Sequence, residues 1–111
     1  MIKYLAWLSL LLLPGAVLAY DYPTIDRVEY VLQCMQDHPS KYEYIYKCSC
    51  AIDAIAKELN YDDYVEFSTA SRGQSTRGEA GGVFRDPPEV QKMAKRYAEI
   101  KAKADKECLL K

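Results

Sequence analysis

The chain is 111 residues long and nearly neutral, with 15 basic residues against 16 acidic ones. It lacks the basic excess that binding to a phosphate backbone demands, which argues against a nucleic-acid partner. Four cysteines, Cys34, Cys48, Cys50 and Cys108, follow an apolar N-terminal stretch, and in an exported chain such residues serve as staples or metal ligands.

The N-terminal stretch has the layout of an export signal. Lys3 is followed by an apolar run from Leu5 to Leu13, the breaker pair Pro14 and Gly15, and small residues at the end of Val17-Leu18-Ala19. The run is too short for the roughly 20 residues that cross a bilayer. Cleavage before Tyr20 and a periplasmic location are expected, with residues 1–19 as a cleaved signal peptide and 20–111 as a single helical domain. No cysteine stands at the cleavage point, which argues against a lipid anchor. The mature chain keeps 14 basic and 16 acidic residues, a net charge of −2. Ten acids and four bases fall within residues 20–71, whereas residues 87–111 hold seven bases and four acids, so a basic last helix is expected beside acidic ones.

Thr24 is placed to cap a first helix whose core face is Ile25, Val28, Val31, Leu32 and Met35, at spacings of three and four. That helix should stop near Asp37, because Pro39 disfavours helical geometry at His38. Ser40-Lys41-Tyr42-Glu43 reads as a capping box for a second helix running to about Asn60, with Ile45, Cys48, Ile52, Ile55 and Leu59 inward. The short connection makes the two helices antiparallel neighbours. Asp62 is expected to cap a short third helix through Phe67. Residues 71–86 hold four of the five glycines and read as a long loop. Asp86-Pro87-Pro88-Glu89 then starts a last helix of about 22 residues reaching Cys108. No strand pattern is visible. The expected fold is all-α, a small disulfide-stapled bundle of three to four helices with a long Gly-rich loop.

Cys48 and Cys50 point about 200° apart on an intact helix, so each must meet a different element. Cys34 and Cys108 are the available partners. Position along the hairpin favours Cys34–Cys48 with Cys50–Cys108 over Cys34–Cys50 with Cys48–Cys108; spacing alone leaves both open. A metal site is the sharper alternative, since Cys34, His38, Cys48 and Cys50 could offer Zn(II) or Cu(I) thiolates and an imidazole. The helical Cys-x-Cys splays its sulfurs, however, and Cys108 would be left over. His38, before a proline, fits a solvated turn residue.

Tyr42, Tyr44 and Tyr46 sweep around the start of the second helix, partly buried or forming an aromatic patch for a protein partner. Arg72, Arg77 and Arg85 in the glycine-rich segment are candidates for recognition, because arginine forks bind carboxylates bidentately. Val83 and Phe84 are either the anchor that folds this segment over the bundle or, with the arginines, part of a partner-binding surface. No phosphate-binding glycine motif and no nucleophile-base constellation is present, so a non-enzymatic chain without a cofactor is expected.

Three segments together, Cys34-Met35-Gln36-Asp37-His38, Tyr46-Lys47-Cys48-Ser49-Cys50-Ala51-Ile52-Asp53 and Gly81-Gly82-Val83-Phe84-Arg85-Asp86-Pro87, resemble a family of small exported Cys-x-Cys helical proteins of proteobacteria. Its members are associated with PQQ-dependent (quinoprotein) alcohol dehydrogenases and their cytochromes c. The resemblance spans nearly all of the mature chain and supplies no activity to carry over. It implies a periplasmic accessory role in alcohol oxidation, with such a dehydrogenase or cytochrome c as partner. Two other readings compete with an interaction protein that binds through Arg72, Arg77, Phe84 and Arg85. One is a metal carrier using Cys34, His38, Cys48 and Cys50; the other is a carrier of a polyanionic cofactor such as PQQ on the arginines.

Overall fold

The computed structural model describes residues 21–110; the expected signal peptide with its expected cleavage position, and Lys111, lie outside them. Five helices follow in order: α1 (Thr24–Asp37), α2 (Glu43–Glu58), α3 (Tyr61–Gly73), α4 (Gly82–Arg85) and α5 (Pro88–Glu107). No strand occurs among the described residues.

Local chemistry sets most helix ends, though not always by the expected residues. Thr24 is the first residue of α1 and Pro23 precedes it, with its ring-restricted φ of −54°. His38 ends the helix in an extended conformation, as Pro39 requires. The capping box at Ser40 does not form. The Ser40 hydroxyl turns back to the Met35 carbonyl at 3.4 Å, and α2 begins at Glu43 with no side-chain cap. Asn60, rather than Asp62, caps α3, its side-chain oxygen accepting from the Asp63 amide at 2.8 Å. α3 then runs six residues past the expected end, because Ser68 and Ala70 are buried and tertiary packing overrides weak helix propensity. α5 closes in a Schellman turn, with Leu110 N–H donating to Asp105 O at 2.8 Å. Leu109 takes the left-handed position at φ 60°, a place that favours glycine. Buried Cys108 and Leu110 on either side hold it there.

α1 and α2 form an antiparallel hairpin, stapled by Cys34–Cys48 with Cα atoms 5.9 Å apart and by an ion pair from Arg27 to Asp53 at 2.6 Å. α5 bridges this hairpin to α3. Its C-terminal half is tied to α2 by Cys50–Cys108 and by the Lys103–Glu58 ion pair, and it also packs along α3. The disulfides thus follow the pairing that position along the hairpin favours. The core gathers Ile52, Ile55, Ala56 and Leu59 of the α2 region, Tyr64 of α3, and Tyr97, Ile100 and Ala104 of α5.

Tyr22 closes this core from the N-terminal side. Its ring lies 4.7 Å from that of Tyr64, and its hydroxyl donates to the Leu59 carbonyl at 2.8 Å in a buried bond. That bond satisfies a carbonyl where the chain bends from α2 into α3. Tyr22→Phe leaves the Leu59 oxygen without this donor and is expected to lower stability by about 1–3 kcal/mol in urea denaturation. A change below about 0.5 kcal/mol would mean the bond is replaced by water.

The expected core face of α1 is only partly buried. Cys34 is buried and Val31 and Met35 are half-buried, but Ile25 and Leu32 are 63% and 57% exposed and Val28 also faces outward. The Cys34–Cys48 bond and the Arg27–Asp53 pair set the rotation of α1 about its axis, which turns the stripe through Arg27, Val31 and Cys34 toward α2. Ile45, the first member of the expected α2 stripe, is exposed as well.

Candidate functional site

The segment from Ser71 to Asp86 is not one long loop. α3 takes its first three residues and α4 takes Gly82–Arg85, leaving residues 74–81 as a turn-rich connection. Gln74 Nε2 donates to Arg85 O at 3.0 Å, Arg85 Nη1 donates to Thr76 O at 2.8 Å, and Arg85 Nε reaches Asp86 Oδ1 at 2.8 Å. Two glycines make the path feasible. A Cβ on Gly73 would stand 2.6 Å from the Phe84 carbonyl oxygen, and Gly78 adopts a φ of +84°.

These ties decide which candidate residues are available. Arg85 spends its guanidinium inside the segment, so it braces the turn instead of presenting a fork to a partner. Arg77 is exposed. Val83 and Phe84 are 72% and 62% exposed, and therefore do not anchor the segment onto the bundle. They form an apolar tip on a braced support.

Arg72 belongs to a different place. α1 and α3 are joined where the Tyr61 hydroxyl donates to Asp26 Oδ2 at 3.0 Å, and a cleft of about 880 Å³ lies between them with Tyr97 and Lys101 of α5 in its wall. Tyr30, Tyr61 and Tyr64 line it with Tyr97; Asp26, Glu29 and Asp37 supply acids from α1. Arg72 supplies a cation from α3, beside Ser71, and Ser75 follows from the connection after it. Burial pushes the phenols of Tyr30, Tyr64 and Tyr97 upward, while the Arg72 guanidinium pulls in the opposite direction on Tyr64 and Tyr97. The Tyr30 hydroxyl is buried without a hydrogen-bond partner. Lys101 is paired with Asp105 at 3.0 Å. Tyrosine content alone could not reveal this cleft, because its walls come from three helices far apart in sequence.

The remaining candidates separate. Tyr42 and Tyr46 are exposed and meet edge to face with centroids 5.6 Å apart, whereas Tyr44 is half-buried and stacks on His38 at 5.5 Å. All four cysteines are paired as disulfides, so Cys34, Cys48 and Cys50 offer no free thiolate beside His38. Of the three arginines, only Arg72 lines the cleft, so they do not form one polyanion site there. Compared with known proteins, the chain matches no family model, no curated protein and no solved structure.

Proposed function

We propose that this is an exported, non-enzymatic interaction protein that docks onto another periplasmic protein through the α4 tip. One observation carries the reading: Val83 and Phe84 stand exposed on a segment whose Gln74, Arg85 and Asp86 groups bond one another. An aromatic anchor on a preorganised support loses little conformational entropy on binding. Arg77 beside it offers a charged contact. The two disulfides support an oxidising compartment. A PQQ-dependent alcohol dehydrogenase or its cytochrome c is the first partner to test, because the resemblance of the cysteine and Gly-Gly-Val-Phe-Arg-Asp-Pro segments points there.

Phe84→Ala and Arg77→Ala together are expected to cut co-purification with that partner at least about tenfold, a loss typical of an interface anchor, while helical circular dichroism is unchanged. Undiminished co-purification by the double variant sinks the assignment of the tip.

A further inference from the structure

We propose that the Cys50–Cys108 disulfide is a site of thiol exchange, opened by a dithiol that attacks Cys50, and that its opening comes before that of Cys34–Cys48. It is independent of the α4 tip and uses other residues.

The two bonds differ in what covers them. Cys48 and Cys34 are 0% and 9% exposed, so their bond is enclosed at both ends. Ala51, Cys108 and Leu110 are buried in the same cluster, with Val31, Met35 and Tyr44 packed against it. The second bond is enclosed at one end only. Cys108 is buried, whereas Cys50 is exposed, on the side of α2 turned about 200° away from Cys48. Exchange requires a thiolate to reach a disulfide sulfur, and buried structural cysteines are inert to it. Access therefore puts Cys50 first.

The turn that follows α5 makes the order sequential. Cys108 and Leu110 help to enclose Cys34 and Cys48, and Leu109 between them stands in a left-handed backbone at φ 60°. Opening Cys50–Cys108 removes the covalent tie of this turn to α2 and lets Leu109 leave a conformation that disfavours its side chain. The cover over the inner bond then loosens. Two exposed side chains flank the entry: Tyr46, one helical turn before Cys50 on the same face, and Leu109, next to Cys108. Such an apolar surround suits the dithiol of a protein.

In the first step one thiolate of the dithiol bonds to Cys50 Sγ. The Cys50–Cys108 bond breaks, and the Cys108 sulfur leaves with the electron pair and takes a proton from water. The second thiolate of the reductant then attacks the reductant's own sulfur in the mixed disulfide, and Cys50 leaves as a thiolate. The dithiol ends as a disulfide, and two electrons have passed to the protein's cysteines. The order of the two bonds is kinetic, set by access.

The test is reduction of the folded protein by dithiothreitol without denaturant, with timed alkylation and tandem mass spectrometry, which separates Cys48 from Cys50 within the tryptic peptide 48–57. Cys50 and Cys108 should be alkylated at least about tenfold faster than Cys34 and Cys48. With Cys50→Ser and Cys108→Ser combined, and helical circular dichroism retained, Cys34–Cys48 should open without the delay seen in the parent. Thioredoxin, as a protein dithiol, separates the sources. If Tyr46→Ala slows reduction by thioredoxin more than by dithiothreitol, the site stands with a protein as its reductant; an equal effect on both supports it with a small thiol. Equal rates for the two bonds, Cys34–Cys48 opening first, or a delay that survives removal of Cys50–Cys108 overturns the proposal.

Discussion

Above about pH 10 the protein is expected to unfold in one cooperative step, in which helical circular dichroism falls as phenolate absorbance rises. The cause lies in Tyr22, Tyr30 and Tyr97, whose phenols burial pushes well above the ordinary value of 10.0. In the unfolded chain these groups ionise near that value; in the folded chain they stay protonated. The unfolded state therefore binds fewer protons at high pH, and stability, fully present below about pH 10, falls as pH rises beyond it. Each such tyrosine removes about 1.4 kcal/mol per pH unit in that window, so three of them remove about 4 kcal/mol per unit. Against a typical stability of about 5–15 kcal/mol, that is enough to unfold a domain of this size by about pH 12–13. A gradual rise in phenolate absorbance with helicity intact to that pH would show that the tyrosines are reached by solvent without unfolding.

Replacing Cys50 and Cys108 together by Ser should cost more stability than replacing Cys34 and Cys48. The first bond closes a sequence separation of 58 and the second one of 14, which corresponds to about 4 and about 3 kcal/mol of denatured-state entropy. Architecture widens the gap. Cys50–Cys108 holds α5 against α2, and α5 packs on both the hairpin and α3, so its loss frees the element that joins the two parts of the bundle. Cys34–Cys48 spans a hairpin that the Arg27–Asp53 pair also ties. Urea midpoints of the two double variants decide the order. The reverse order, or equal losses under about 1 kcal/mol, would mean that packing of Ile52, Ile55, Tyr97 and Ile100 holds α5 without help.

The outward-facing apolar residues of α1 show where reading from sequence has its limit. Ile25, Val28 and Leu32 share a helical face, and so do Arg27, Val31 and Cys34. Periodicity cannot rank the two, because a helix carries no information about its rotation relative to a neighbour it has not yet met. The disulfide and the Arg27–Asp53 pair make that choice. The third helix extends past Phe67 for a related reason. Ser68-Thr69-Ala70-Ser71 is a weak helix former on its own, and burial of Ser68 and Ala70 is what extends it. The same extension converts a reading of one long loop into a short connection and a one-turn helix, and divides Arg72 from Arg77 and Arg85.

Local sequence was enough to determine the all-helical class, the α1–α2 hairpin, its break before Pro39 and the separate destinations of Cys48 and Cys50. Each of these follows from backbone geometry within a few residues: a side-chain period, a proline's steric demand, the angle between neighbours on one helix. Tertiary structure alone decided which face of α1 is buried, that Arg85 braces a turn while Phe84 is presented, and that Arg72 lines the same cleft as four tyrosines. Those outcomes depend on contacts between residues tens of positions apart, where burial and pairing outweigh local preference.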